Sequence, residues 1–316
     1  MNRPSIVVVG SSNTDLVVKT SRMPQRGETV LGGDLVMVPG GKGANQAVAM
    51  SKLGAEVYLV ARVGKDLFGD NSLSNLEKEG VNTQFVVQEE EAPSGVALII
   101  VEEQGENTIV VAPGANMRLS PQDVEKAYSV ISRAQALVVQ WEIPLESIEW
   151  ALKLARKAGV MRVVNPAPAR KLINPALFAV DVMTPNEKEA GLLTGIEIKD
   201  FTSVKRAAEI IHQKGVKKVI ITLGIRGALY LTDHEVGIIP AYQVEAVDTT
   251  AAGDAFTGGL TFALAEGKSL ISAIEYAHAV AAISVTRLGA QPSLPMREEV
   301  EAFLKNPPPL RNESWN

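Results

Sequence analysis

The chain has 316 residues, a hydrophobic content of 46%, a formal net charge of −5 and no cysteine. The lack of cysteine excludes disulfides, thiolate catalysis and zinc–sulfur sites, and the interleaved acids and bases offer no basic face for a nucleic acid. No apolar run reaches the ~18 residues of a membrane span, and the N-terminus has no signal-peptide pattern. We therefore expect a soluble cytoplasmic protein with neither a nucleic-acid nor a membrane partner.

Short apolar runs alternate with helical patterns along the chain. The predicted strands are 6–9, 58–63, 136–140, 162–165, 182–184, 218–223, 228–232 and 235–239. The predicted helices are 44–52, 66–79, 121–131, 144–158, 187–194, 202–214, 253–265, 270–286 and 297–304. Buried Val and Ile runs separated by helices are typical of a parallel sheet covered on both faces. The pattern predicts a doubly wound, Rossmann-like α/β fold, which binds ligands beyond the carboxyl ends of its strands.

Two segments break this alternation, because strands follow one another without a helix between them. They are 16–20 with 29–38, and 95–102 with 107–112, the latter pair joined by a hairpin turn at 105–107. A small inserted sheet of this kind, formed from about 14–40 and 94–112, cannot pack both faces alone and is expected to cover something. We expect one domain over residues 1–306, followed by a poorly ordered tail from 307 to 316, which begins with three prolines.

The segment from Asp248 to Asp254 consists mainly of small residues and precedes an apolar run from Ala255 to Ala265. Its backbone N–H groups can converge on an anion at the positive end of the following helix. Asp254 would lie beside this anion hole and could take a proton from a hydroxyl that attacks phosphorus. An ordinary capped helix start explains the same string, so the segment alone leaves both interpretations open.

A second segment, from Pro39 to Gln46, has three glycines within four residues and leads into an Ala-rich helix. Such glycines allow close approach of the backbone to a ligand at a helix N-terminus, and Asn45 can donate to and accept from sugar hydroxyls. The segment is not a P-loop, since Lys42 is followed by Gly43. The first strand does not continue as G-x-G-x-x-G either, so the chain lacks a dinucleotide fingerprint.

Together, these two segments resemble the signatures of the ribokinase-like carbohydrate kinase family. Further segments similar to that family occur in the same order at 10–15, 27–29, 165–169, 184–187 and 289–293. The resemblance runs from about Ile6 to Phe303. It implies a ribokinase-like fold whose inserted sheet is a lid over the sugar, and ATP-dependent phosphorylation of D-ribose at its 5-hydroxyl with Asp254 as the base.

The resemblance also implies which residues bind the sugar and the transferred phosphate. The expected sugar-binding residues are Asn13, Asp15, Gly41, Lys42, Gly43, Ala44, Asn45, Glu142 and Asp254. The expected anion hole is the backbone of Ala251, Ala252, Gly253 and Asp254. Many family members have glycine at the position of Ala251, but the backbone donors survive this replacement. Without the resemblance, Asn13 and Asp15 are ordinary turn residues and Glu142 is a first-turn acid of a helix.

For the nucleotide and the cations, the resemblance implies three further groups. The expected nucleotide-binding residues are Asn186, Thr222, Leu223, Gly224, Ile225, Arg226, Gly227, Gly253, Asp254 and His278. Asn186 and Glu189 are expected to organise Mg²⁺ and phosphate, and the alternative is a helix cap with a solvated Glu189. An activating K⁺ is expected among oxygen atoms of Asp248, Thr250, Ser284, Arg287, Gly289 and Ser293. His278 is otherwise a packed core residue.

Alternating apolar residues in the inserted strands predict a homodimer in which the two lids pack face to face over the sugar sites. These residues are Val30, Val36 and Val38, with Val96, Leu98 and Ile100. Two alternative functions stay open: a sister kinase that acts on deoxyribose, fructose or adenosine, and a non-catalytic sugar-sensing protein on the same scaffold. The aromatic content of 5% disfavours a nucleoside pocket, and retention of Asp254 disfavours a sensor.

Overall fold

The computed structural model describes residues 3–103, 107–171 and 174–311. Within these ranges the strands are β1 (Ser5–Val9), β2 (Asn13–Thr20), β3 (Leu35–Gly40), β4 (Glu56–Gly64), β5 (Val81–Glu89), β6 (Gly95–Glu102), β7 (Asn107–Ala112), β8 (Ala136–Gln140), β9 (Met161–Asn165), β10 (Val182–Met183), β11 (Lys218–Thr222), β12 (Ala228–Leu231) and β13 (Val236–Ile239). The helices are α1 (Lys42–Lys52), α2 (Leu67–Lys78), α3 (Pro121–Lys126), α4 (Tyr128–Ile131), α5 (Leu145–Ala158), α6 (Glu187–Thr194), α7 (Phe201–Gln213), α8 (Ala252–Ala265), α9 (Leu270–Val285) and α10 (Arg297–Lys305).

The large sheet has the spatial order β13-β12-β11-β10-β9-β8-β1-β4-β5. All neighbouring strands from β11 across to β5 are parallel, and β12 and β13 extend the other edge in antiparallel orientation. Alternate side chains of a strand point to opposite faces. In β1, Val7 and Val9 accordingly belong to one hydrophobic core, whereas Ile6 and Val8 belong to the core that contains residues of α1, α8 and α9. The predicted doubly wound, mainly parallel fold is confirmed.

The inserted strands form a separate sheet in the order β3-β2-β6-β7. The central pair β2–β6 is parallel and the two outer pairs are antiparallel. This small sheet is the lid that the sequence predicts. Residues 104–106 lie outside the described ranges, so the structure does not address the predicted hairpin turn.

The register of the lid places apolar side chains on both of its faces. Val17 lies opposite Val36 and Ile99, whereas the next residue, Leu16, lies opposite Met37. Because paired residues share a face and neighbours along a strand do not, Val36 belongs to the face of Asp15 and Met37 belongs to the other. Large exposed side chains on that other face are Leu35, Met37, Leu98 and Val110. Val36 and Val38 of β3 therefore lie on the opposite face from Val96, Leu98 and Ile100 of β6, and Val30 precedes β3.

Several predicted boundaries differ from the structure. Strand β5 was not predicted, because it is an edge strand in which polar residues interrupt the apolar ones. The predicted helix 121–131 is divided at Ala127 into α3 and α4. The predicted strand 29–38 begins only at Leu35, and the segment before it folds against β2, since the Gly33 N–H donates to the Lys19 carbonyl at 2.8 Å.

The segment after α10 contacts the rest of the chain as far as it is described. The Gln243 N–H donates to the Pro309 carbonyl at 2.8 Å, and the Arg311 N–H donates to the Ala241 carbonyl at 2.9 Å. Residues 307–311, which the sequence assigns to a poorly ordered tail, are thus paired with 241–243. Residues 312–316 lie outside the described ranges.

Candidate active site

The polar residues singled out in the sequence lie after the carboxyl ends of the parallel strands. Asn13 and Asp15 follow β1 on the first lid strand, Glu142 follows β8, and Asn186 follows β10 beside Thr222 at the end of β11. Parallel strands bring their carboxyl ends to one edge of a sheet. The expected binding region is therefore assembled at this edge, beneath the lid.

Glu142 is held at the N-terminus of α1. Its Oε2 atom accepts a hydrogen bond from Ser11 Oγ at 2.5 Å and another from the Lys42 N–H at 3.1 Å. A helix N-terminus stabilises a carboxylate. Gly41 precedes the helix at a φ of 88°, and a Cβ atom there would lie 2.7 Å from the Asn13 backbone nitrogen. Glycine is therefore required where the α1 segment crosses the start of β2.

Four carboxylates surround the Lys42 side chain. Burial alone lowers the pKa of Lys42, but the carboxylates of Asp254, Glu142, Glu189 and Asp15 outweigh this effect and raise that pKa above its ordinary value. Lys42 is therefore cationic, and four expected site residues from separate segments lie within its electrostatic range.

Asp15 is the carboxylate most perturbed by this environment. Burial and the neighbouring charges of Glu142 and Asp254 raise the pKa of Asp15 from 3.8 to about 7, although Lys42 acts in the opposite direction. Like charges and desolvation both disfavour an ionised carboxyl group. Asp15 also packs directly on Gly40, where a Cβ atom would lie 2.2 Å from its Oδ1 atom.

Asp254 is buried and both of its carboxylate oxygens accept amide donors. Asn45 Nδ2 donates to Oδ2 at 3.0 Å, and Gln46 Nε2 donates to Oδ1 at 2.9 Å. Both amides come from α1, which packs against α8. The carboxylate expected to act as a base thus has a fixed orientation at the start of α8.

The turn before α8 has free donors where an anion hole is expected. The Ala252 N–H donates to the Thr249 carbonyl at 3.2 Å, whereas the N–H groups of Gly253 and Asp254 belong to the first turn, which has no intrahelical acceptors. Ala251 caps the helix with a φ of 58°. A left-handed conformation is costly for alanine, by about 1–2 kcal/mol, and it turns the chain so that α8 can begin at Ala252.

Asn186 and Glu189 form a reciprocal capping box at the start of α6. The Glu189 N–H donates to Asn186 Oδ1 at 2.8 Å, and the Asn186 N–H donates to Glu189 Oε2 at 2.8 Å. Asn186 therefore caps α6, as the alternative interpretation predicts. Glu189, however, is partly buried rather than solvated. Burial raises the pKa of Glu189 despite the hydrogen bond from Asn186 and the charge of Lys42, and Asp254 raises it further.

The loop expected to line the nucleotide lies beside this capping box. The Thr222 N–H donates to the Pro185 carbonyl at 3.0 Å, and Arg226 Nη2 donates to Glu187 Oε1 at 2.5 Å. Leu223 is buried and Ile225 is exposed. Gly227, at a φ of 95°, has no room for a side chain, because a Cβ atom would lie 2.1 Å from the Ile239 carbonyl oxygen. Thr222–Gly227 and α6 thus form one side of the region.

His278 is a buried residue of α9. Its ring packs edge-on against Phe256 with centroids 5.2 Å apart, and burial lowers the pKa of His278 from 6.5 to about 4. It is therefore neutral at physiological pH. The contact with Phe256 fits the interpretation as a packed core residue, and a contact with adenine stays a prediction.

The segments expected to hold K⁺ are joined by hydrogen bonds. Asp248 accepts from the Thr250 N–H through Oδ1 at 2.8 Å and from the Gly289 N–H through Oδ2 at 2.9 Å. Ser284 and Ser293 are buried and their hydroxyls are 2.8 Å apart. Burial raises the pKa of Asp248, but the hydrogen bonds from Thr250 and Gly289 lower it more. Asp248 is thus an ionised carboxylate that links segments 250 and 289, and carboxylate and hydroxyl oxygens are ligands that suit a hard cation.

Comparisons with known proteins agree with this arrangement. Residues 3–297 match the model of the pfkB family carbohydrate kinases. The chain is 42% identical over 304 residues to the ribokinase of Haemophilus influenzae, covering 96% of this chain and 99% of that protein. It is 38% identical over 300 residues to the deoxyribokinase of Salmonella typhi, covering 95% and 98% respectively. The structure of Arabidopsis thaliana ribokinase complexed with ribose and ATP has a TM-score of 0.87 at 33% identity and covers 96% of this chain and 99% of its own.

The chain belongs to the pfkB family of carbohydrate kinases. The family membership predicted from the sequence is therefore confirmed. Throughout the described residues of this pfkB kinase, no helix is long and apolar enough to cross a membrane. In the same residues, no three acidic or histidine side chains are grouped so that they alone could hold a metal ion.

Sequence reasoning missed the side chains that orient the expected ligands of this pfkB kinase. Asn116 Nδ2 donates to Asn13 Oδ1 at 2.7 Å, and no motif pointed to the loop that carries Asn116. Gln46 lies in the segment Pro39–Gln46 and Gln291 in the segment 289–293, and the resemblance assigned neither of them a role. Only the fold shows that their amides approach Asp254 and Asn45.

Proposed function

We propose that this carbohydrate kinase is an ATP-dependent ribokinase that phosphorylates D-ribose at the 5-hydroxyl. The observation that carries the proposal is Asp254, a carboxylate held by two amides at the N-terminus of α8 and close to the charges of Asp15 and Lys42. Relatives of 42% and 33% identity are named ribokinases, and one is complexed with ribose and ATP.

In the proposed reaction, Asp254 accepts the proton of the 5-hydroxyl as that oxygen attacks the γ-phosphorus of ATP. A bond forms between the sugar oxygen and phosphorus, and the bond to the β,γ-bridging oxygen breaks. The products are ribose 5-phosphate and ADP. The N–H groups at the start of α8 stabilise the charge that develops on the transferred phosphoryl group, which is the main requirement of such a transfer.

For the sugar, we assign Asn13, Asp15 and Glu142 to its hydroxyls. Asn116 Nδ2 donates to Asn13 Oδ1 and so fixes the orientation of the Asn13 side chain. The Asn13 NH₂ group is left to donate to the sugar. Glu142 has one oxygen committed to Ser11 and the Lys42 N–H, which leaves Oε1 for a ligand. The lid strand β2 carries Asp15, so the lid itself supplies one of the proposed sugar ligands.

Two cations complete the proposal. Mg²⁺, which keeps several waters and needs few protein ligands, would be held with the nucleotide near Glu189 and would neutralise phosphate charge. K⁺ would be held by Asp248 and the oxygen atoms of 250, 284, 287, 289 and 293, where the donor chemistry fits. The proposal also includes a homodimer formed through the lid and a cytoplasmic location.

A specific observation favours one second candidate, 2-deoxyribose. The relative from Salmonella typhi that is 38% identical is named deoxyribokinase. The test is release of ADP from ATP and Mg²⁺ with D-ribose, 2-deoxyribose, fructose and adenosine, in KCl and in NaCl. We expect the highest kcat/KM for ribose; a higher value for another acceptor contradicts the ribokinase assignment.

A further inference from the structure

A chain of buried amide side chains leads to Asp254 from the side of the central sheet. Gln46 has no exposed surface. Its Nε2 donates both to Asp254 Oδ1 at 2.9 Å and to Asn165 Oδ1 at 3.2 Å. Its Oε1 accepts from Gln140 Nε2 at 2.7 Å. The amide of Gln46 therefore has a partner for each of its polar atoms.

The hydrogen bond from Asn165 to the central sheet determines the orientation of the Gln46 amide. Asn165 Nδ2 donates to the Thr184 carbonyl at 2.9 Å, so its Oδ1 faces Gln46. If the Gln46 amide were turned over, its oxygen would face the oxygen atoms of Asn165 and Asp254, which cannot donate. Only one orientation satisfies the group, and in that orientation the nitrogen faces the carboxylate.

The second oxygen of Asp254 is held in the same way by Asn45, the neighbouring residue of α1. Asn45 donates to Oδ2 at 3.0 Å, and its own Oδ1 accepts from Gln291 Nε2 at 3.2 Å. Gln291 Oε1 in turn accepts from Asn75 Nδ2 at 2.7 Å. Asn45 is itself expected to bind the sugar, whereas Gln46 is shielded from it.

We propose that Gln46 is a positioning residue for the base: by holding Oδ1 it fixes the plane of the Asp254 carboxylate before the sugar arrives. This inference rests on the proposed function, because it assigns Gln46 a role through Asp254. Because Gln46 is fully buried, it would contact neither substrate and would act on the reaction only through Asp254. Small displacements of a reacting group can cost about 10²-fold in rate, so the effect should appear in kcat.

The first test is Gln46→Met, which keeps the side-chain length and removes both donors. We expect kcat to fall by about 10- to 100-fold while KM for sugar and for ATP changes by less than about 3-fold. The matched control is Gln140→Met, which removes the buried hydrogen bond to Gln46 Oε1. The hydrogen bonds from Asn45 and Gln46 to Asp254 stay in place. Its thermal stability should fall similarly while its kcat stays within a few-fold of wild type.

The second test is Gln46→Glu, which preserves shape and gives a pH signature. An ionised Glu cannot donate to Asp254 and repels it, whereas a protonated one supplies a single O–H donor. The ratio of variant to wild-type kcat should therefore rise as the pH is lowered from about 8 to about 6. A ratio that does not depend on pH contradicts the role, and this test remains decisive if Gln46→Met fails to fold.

The third test is a double-mutant cycle with Asp254→Asn. If Gln46 acts through the carboxylate, Gln46→Met should cause little further loss of the residual turnover of Asp254→Asn. Equal fold-losses in both backgrounds, or unchanged kcat in the wild-type background, overturn the inference while the proposed function stands.

The proposed function and this inference fail differently. If the wild-type protein phosphorylates no acceptor in the sugar panel, the proposed function is wrong. The positioning role is then decided by the crystal structure of Gln46→Met. We expect the Asp254 carboxylate to be rotated there, and an unchanged carboxylate overturns the inference.

Discussion

Asp248 and Gly289 are 41 residues apart in the chain and are joined by a hydrogen bond of 2.9 Å from the Gly289 N–H to Asp248 Oδ2. This bond ties the turn before α8 to the loop after α9. Because Asp248 also accepts from the Thr250 N–H at 2.8 Å, one carboxylate holds both the loop after α9 and the turn where the anion hole is proposed. A cation bound between these segments would act on the same turn.

The first prediction concerns this carboxylate. The wild-type protein should be activated by KCl much more than by NaCl, and Asp248→Ala should abolish the difference while the protein remains folded. The effect should appear in kcat or in KM for ATP, since in the proposed function this turn leads into the N–H groups that bind the transferred phosphoryl group. Asp233→Ala, a change of an exposed acid on the β12–β13 turn, is the matched control and should retain activation. Equal activity of the wild type in KCl, NaCl and salt-free buffer would show that no cation acts here.

The second prediction concerns the raised pKa of Asp15. The pKa of Asp15 is about 7 in the folded protein, against an ordinary value of 3.8. The folded state therefore keeps a proton that the unfolded state loses between about pH 4 and 7. Stability must therefore fall as the pH rises through this window. Asp15→Asn should raise the free energy of unfolding at pH 8 by about 2–4 kcal/mol, with much less difference near pH 4.

Denaturant unfolding of both proteins at pH 4, 6 and 8 measures this effect. A difference between wild type and Asp15→Asn that does not depend on pH would contradict the electrostatic explanation. The same variant should lose sugar binding, because an ionised acceptor is replaced by an amide. Stability sacrificed for a binding carboxylate is common at functional sites.

The third prediction concerns Ala251 and its φ of 58°. Ala251→Gly should raise the free energy of unfolding by up to about 1 kcal/mol, since glycine adopts this conformation without steric cost. Ala252→Gly, one residue later in the first turn of α8, is the control and should lower it by up to about 1 kcal/mol. Both should retain kcat within a few-fold. Equal destabilisation by the two changes in denaturant unfolding would show that Ala251 carries no strain.

Much of the fold and many of the site residues could be predicted from sequence for a physical reason. The buried strands Ala136–Gln140 and Lys218–Thr222 are short runs of apolar residues, and Glu187–Thr194 begins at an Asn186 cap, so local chemistry specifies them. By contrast, β5 is half-exposed, and its pairing with β4 depends on the rest of the sheet. The hydrogen bond from Gln46 to Asp254 joins residues 208 positions apart in the chain, and no local pattern encodes such a contact.

The fourth prediction concerns the face of the lid opposite Asp15, where Leu35, Met37, Leu98 and Val110 are exposed. Apolar groups of this kind are typical of interaction surfaces, and we expect a homodimer at micromolar concentration in sedimentation velocity. Leu98→Asp should produce monomers, because it places a charge in the lid interface. Leu192→Asp, on α6, is the control and should leave the dimer intact. Wild-type protein that sediments as a monomer would contradict the prediction.

The central claim is that Asp254 is the base of a sugar kinase, and the steady-state kinetics of Asp254→Asn test it most directly. The amide keeps the size of the side chain but cannot accept the proton of the attacking hydroxyl. In the assay of ADP release with ribose, kcat should fall by at least about 10²-fold, while KM for ATP and thermal stability stay close to wild type. A kcat within a few-fold of wild type, or equal losses of ATP affinity and turnover, would contradict the account and leave Asp254 a structural cap.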